Sequence, residues 1–395
     1  MGNSMTYTRK DMPKSVLNIG IMLSLVGAVI GIAGFAIDLE KALFHYIVAF
    51  MFIVSIAVGA LFLVALEYVA GADWSTPIRR VLEFFASLVP FLFVLVIPLL
   101  LHIDVIFEWA DPQVVAEDPL VAQKVAYLNP TAFVIRQVVI LALWTLFYYL
   151  IVGNSQKQDQ SKDPRLTRKN IIISAIFIPI FAISASVMAI DWMMTLAPHW
   201  YSTIFGVYFF SGSLVVTLAV FGYAVITLRD NGYLHPAIID DHLFSIGALL
   251  FGFVNFWAYI AFSQFLLIWY ANLPETTSWF LYRWEGGWMW VTLLLIVAHF
   301  IVPYAVLLPQ QAKMNPKVLK FVALWIIFAH FVDLYWLVLP NLHHPHSGFL
   351  GTITGLGLPI FAIGIVIVGF YFGSSKKNFV PVGDPKLDRG LNFRL

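Results

Sequence analysis

Residues 188–200 read MAIDWMMTLAPHW, and what this stretch is doing decides how the rest of the chain is read. It closes an apolar run over 171–196 that is long enough to cross the ~30 Å hydrocarbon core of a bilayer as a helix. Yet it carries Asp191, Pro198 and His199. A carboxylate inside or at the edge of lipid costs free energy, so Asp191 needs a partner or a task.

The run is one of many. Of the 395 residues 61% are hydrophobic and 11% charged, with a mean hydropathy of +0.86. A soluble protein has too little interior for that much apolar surface, so the bilayer is the main solvent. Ten windows predict spanning helices: 16–35, 44–70, 81–101, 131–152, 171–196, 203–228, 243–270, 288–308, 318–339 and 350–372. The first is long, runs straight into a second span and lacks a cleavage pattern, so it reads as a span and not a signal peptide. The chain has no cysteine, which excludes disulfides, CxxCH haem attachment and thiolate-held clusters on this chain.

Basic residues set the expected orientation. With ten spans and a cytoplasmic N-terminus, 19 of the 23 lysines and arginines fall on the cytoplasmic side. The other four are Lys41, Lys124, Arg136 and Arg283. Both termini are therefore expected in the cytoplasm. The acidic connection 102–130 is expected along the outer face, and the polar segment 373–395 as a surface tail.

The opening stretch has a counterpart. Span five ends AIDWMMTLAP and span nine ends FVDLYWLVLP, each with an aspartate seven residues before a proline (Asp191 and Pro198, Asp333 and Pro340). Four spans separate them, an even number, so the two copies point the same way. The pattern predicts an all-α polytopic membrane protein of ten helices. Spans 2–5 (44–196) and 6–9 (203–339) would form two parallel four-helix bundles, flanked by span 1 (within 1–43) and span 10 (350–372).

The polar groups within the spans are the site candidates. By helical rise Asp191 lies about 30 Å along span five and Asp333 about 23 Å along span nine, both toward the outer face. His330 is nearly a turn deeper than Asp333, and His299 comes to a similar depth on span eight. Together they can mark a proton path. The plainer readings are that the aspartates cap helix ends or pair with Arg136, and that the histidines are interhelical hydrogen-bonding groups. Matching depths leave room for a haem between His299 and His330. His343, His344 and His346 suit a docking loop or a metal. Glu67 and Glu83 read as interfacial partners of Arg79 or Arg80, with a proton entrance as the other reading.

Two longer blocks carry a resemblance. DWMMTLAPHWYSTIFGVYFFSGS (191–213) and SQFLLIWYANLPETTSW (263–279) resemble the ActF subunits of bacterial alternative complex III, which belong with the NrfD/PsrC-like membrane proteins. The resemblance implies a subunit of a respiratory quinol:electron-acceptor oxidoreductase in the bacterial inner membrane. It implies two four-helix bundles with two flanking helices and a sibling NrfD-like subunit. Partners carrying iron–sulfur clusters and c-type haems would lie at the outer face, with no redox centre in this chain. It further implies proton half-channels, and quinol or menaquinol as a candidate ligand. If quinol binds here, His102, Asp104 and Arg136 at the outer mouth of the first bundle are the weaker candidates to contact it, since a quinol losing electrons needs a nearby base. Two other classes stay open: a secondary transporter or proton channel working alone, and a scaffold that conducts nothing.

Overall fold

An asparagine or aspartate followed by proline starts three of the long helices: Asn129–Pro130, Asp163–Pro164 and Asn315–Pro316. Each Asx side chain accepts from first-turn N–H groups, Asn129 from Ala132, Asp163 from Arg165, and Asn315 from Lys317 and Val318. The proline takes the first helical position, where its missing donor is not needed. The structure, a computed structural model, describes residue 7 and residues 9–342 and 355–395. His343, His344 and His346 lie outside the described residues.

Ten described helices are long and apolar enough to cross a membrane. They are α1 (Lys14–Ile37), α2 (Leu39–Ala70), α3 (Thr76–Leu100), α4 (Pro130–Ser161), α5 (Pro164–Leu196), α6 (Phe205–Asp230), α7 (Asp240–Ala271), α8 (Trp288–Leu307), α9 (Pro316–Asn341) and α10 (Gly357–Ser374). The chain is an all-helical, multi-pass integral membrane protein, and each expected window overlaps one of these helices, the first residues of the tenth window (350–354) lying outside the described residues.

The most apolar stretch of α2 is wholly buried, and around it pack α3, α5, α6, α9 and α10. Helix α4 packs on α5, α7 on α6, and α8 between α7 and α9. Helix α1 leans chiefly on α10, and its buried residues are all glycines: Gly20, Gly27, Gly31 and Gly34. They let the two backbones meet. A Cβ on Gly27 would stand 2.3 Å from the Phe361 nitrogen, and one on Gly364 2.4 Å from that of Ser24.

Two spans are irregular where proline dictates it. Helix α3 breaks into short helical pieces around Pro90 and Pro98. In α8, Ile296–Ile301 is a π-turn followed by Pro303. Pro303 offers no N–H to the carbonyl four residues back, that of His299, and its ring crowds that carbonyl. The widened turn accommodates both effects and re-aims the His299 side chain.

The C-terminal segment is more than a surface tail. Phe379 and Val380 are fully buried and Asp384 is 6% exposed. Asp384 accepts from Arg79 Nη2 at 2.6 Å, and the Gly390 carbonyl lies 3.0 Å from His242 Nε2. Arg79 is buried at the start of α3 and also binds Glu67 at 2.9 Å and Glu83 at 3.3 Å; Arg80 pairs with Glu83 and, at 2.7 Å, with Asp159. Glu67 and Glu83 do pair with these arginines, and all four side chains are buried within the protein. Two guanidiniums cannot be buried together without carboxylates around them, and the tail supplies one.

Candidate functional site

At the ends of α4 and α5 farthest from the termini, Asp191 is 0% exposed. Its Oδ2 accepts from Arg136 Nε (2.9 Å) and Gln137 Nε2 (2.8 Å), and its Oδ1 from Tyr127 Oη (2.9 Å) and Arg136 Nη2 (3.1 Å). Arg136 and Gln137 are neighbours on α4 and reach α5 side by side, while Tyr127 comes from the connection ahead of α4. Trp192 Nε1 then donates to Gln137 Oε1 at 2.7 Å. Arg136 lies over the Tyr127 ring, 3.9 Å from its centre. Burial, and next the charge of Asp191, hold the Tyr127 phenol above its usual range, so it stays a donor.

The connection 102–130 folds over this site. Phe107 and Trp109, each 1% exposed, pack with Phe133 and Trp192. Beside it lies a cavity of about 320 Å³ whose wall includes Lys124, Tyr127, Met194 and Trp200. At the rim, His199 Nε2 sits 2.5 Å from Asp118.

The second aspartate is held differently. Asp333 on α9 is 1% exposed; Tyr208 Oη of α6 donates to Oδ1 at 2.6 Å and Trp257 Nε1 of α7 to Oδ2 at 3.2 Å. His299 of α8 brings Nε2 to 4.0 Å from Oδ2, its ring stacked on Trp257 with centres 3.9 Å apart. His330, a turn below Asp333, places Nε2 3.2 Å from Ser55 Oγ of α2. One potential ligand atom from each of His299, His330 and Asp333 lies within 4.8 Å of the others. Both nitrogens of His299, and Nδ1 of His330, are buried without a hydrogen-bond partner. Gly212 of α6 faces the group: a Cβ there would stand 3.3 Å from Asp333 Oδ2 and 3.4 Å from the His330 ring.

The two aspartates thus differ in kind. Asp191 is charge-paired with Arg136 and accepts four hydrogen bonds. Asp333 is held by neutral donors, and among the described residues no lysine or arginine forms an ion pair with it.

Of the residues expected to meet a quinol, Arg136 is committed to Asp191. His102 turns its Nδ1 to the Pro98 carbonyl at 2.8 Å, and Asp104 is exposed on the short helix Ile103–Ile106. No hydrogen bond or ion pair links either of them to Arg136 among the described residues. The sequence reading did not find Tyr208, Trp257, Ser55, Gln137 or Tyr127. In a chain with 16 tyrosines and 13 tryptophans, no local signal marks those that reach a carboxylate.

No family model matches the chain, and a search of the curated proteins finds no match.

Proposed function

We propose that the chain is the membrane-integral subunit of a bacterial respiratory quinol:electron-acceptor oxidoreductase of the alternative complex III type, an ActF-like member of the NrfD/PsrC-like proteins. It sits in the inner membrane with both termini cytoplasmic. It anchors subunits carrying c-type haem and iron–sulfur clusters beside a sibling subunit, and its second helix group carries a proton-exchanging site.

The observation that carries the proton reading is Asp333: a carboxylate 1% exposed, with no lysine or arginine partner among the described residues, set among Tyr208, His299 and His330. A proton can satisfy such a group where a fixed cation satisfies Asp191. The packing supports two units, because α2–α5 are linked by contacts of α2 with α3 and α5 and of α4 with α3 and α5, and α6–α9 by the corresponding set. In this reading the Asp191 site is the structural copy and the Asp333 site the working one. The Asp191–Arg136 pair favours, for the first unit, the scaffold reading. A quinol ring, if bound here, would enter the 320 Å³ cavity beside Tyr127.

The test is proton release per electron in the assembled complex. Asp333→Asn should keep cofactor content and lower turnover or proton release by roughly tenfold or more, in keeping with the loss of a positioned acid–base group. Asp191→Asn should mainly lower stability. Full activity in Asp333→Asn would leave the scaffold role alone.

A further inference from the structure

We propose that His299, His330 and Asp333 form a binding site for one divalent transition-metal ion of the zinc class. The donor set is two imidazoles and one carboxylate, which suits zinc and its first-row neighbours and not calcium or magnesium. The nitrogens that would ligate are the ones left over: His299 Nε2 and His330 Nδ1 are buried with no hydrogen-bond partner. A buried imidazole nitrogen without a partner is unusual enough to need an occupant or a reason. The carboxylate partner is Asp333 Oδ2, which also accepts from Trp257 at 3.2 Å, while Oδ1 is held by Tyr208 at 2.6 Å.

Three further features fit a site of this kind. The π-turn Ile296–Ile301 is the one π-helical element among the described residues, and it holds His299. Such turns concentrate at functional sites because they redirect a single side chain. Trp257 stacks on His299 and fixes its plane, while His330 Nε2 is occupied by Ser55, so Nδ1 is the nitrogen left to bind. Gly212 puts no side chain against the group, where a Cβ would stand 3.3 Å from Asp333 Oδ2, and a water as fourth ligand would complete a tetrahedron. Metal–ligand distances of about 2.0–2.2 Å ask for ligand atoms about 3.3–3.6 Å apart. His299 Nε2 and Asp333 Oδ2 stand at 4.0 Å, so binding draws them together by about half an ångström.

Binding stands apart from the proton reading, but the two meet at the same atoms: an ion on Asp333 and both histidines occupies the positions a proton would use, so bound metal blocks exchange there.

The experiment uses the full chain, produced with cobalt(II) as the probe, followed by metal analysis and a visible spectrum after washing with chelator. The expected result is about one cobalt per chain with the strong absorption of a tetrahedral site. His299→Ala and His330→Ala should lose it, and Gly212→Ala, which removes no ligand, should bind about 10- to 100-fold more weakly. A variant with alanine at 343, 344 and 346 should keep it. Metal-free wild-type protein, or a spectrum unchanged by His330→Ala and Gly212→Ala alike, overturns the proposal. If the histidine variants fail to fold, Gly212→Ala decides. Inhibition of proton release by added zinc without cobalt binding at these residues would assign that inhibition elsewhere, and binding without inhibition would leave the site standing and sink only the proton reading.

Discussion

Asp191 and Asp333 share a sequence pattern and differ in what answers their charge, and that difference is measurable. Removing Asp191 leaves the Arg136 guanidinium, 19% exposed, without its counter-ion, so Asp191→Ala should cost about 3–5 kcal/mol of stability. The double variant Asp191→Asn/Arg136→Gln should cost less than the sum of the singles, because each single leaves one charge without its partner and the double leaves none. Thermal unfolding of the four proteins in one detergent gives the coupling. Asp118 supplies a pH test outside the spans. Its hydrogen bond with His199 holds its carboxyl below the usual carboxylate value of about 3.9. A depressed carboxylate contributes stability above its unfolded pKa and loses it as pH falls through the lower folded value. Protection factors around 118–122, taken relative to the intrinsic exchange rate at each pH, should therefore fall on acidification below about pH 4, and Asp118→Asn should remove that fall. At this scale the aspartates were legible, since a carboxylate in an apolar run stands out. Arg136 was legible as a partner for the same reason. Tyr208 and Trp257 were not, because their donor role depends on which of many aromatics the fold turns inward.

Between elements, small residues and prolines set the geometry. The glycine face of α1 brings its backbone against α10 with no side chain between them, so Gly27→Leu cannot be absorbed by side-chain motion. It should detach α1 from α10, seen as proteolysis or cross-linking loss confined to that pair, while the α2-centred core keeps its unfolding temperature. Asp384→Ala removes one of three carboxylates around buried Arg79 and should free the segment after Ser374 to protease, with a loss of about 1–3 kcal/mol. That second contact was beyond sequence reading. The segment is polar enough to be a tail, and Asp384 meets Arg79 from 305 residues away, where no spacing rule operates. The breaks in α3 and the π-turn in α8 have visible causes in Pro90, Pro98 and Pro303. Whether a proline kinks, widens or ends a span is settled by the neighbours it packs against.

For the whole molecule, hydropathy alone placed all ten spans, because a helix in lipid must satisfy its backbone internally and hide little else. Which helices become neighbours is a matter of packing, and with α2 at the centre its polar residues Lys41, His45, Ser55 and Glu67 are buried as well. The site around His299 was legible only in part. Matching depths put the two histidines at one level, but their meeting with Asp333 through a re-aimed turn required the fold. The proposed role, one subunit of a redox complex and not a molecule working alone, stands on what the chain binds. Its most direct test is purification in mild detergent through a tag on this chain, followed by a visible spectrum and identification of the co-purifying bands. The expected result is c-type haem absorption with iron–sulfur and cytochrome subunits in fixed ratio to the chain. A colourless protein running by itself would contradict it.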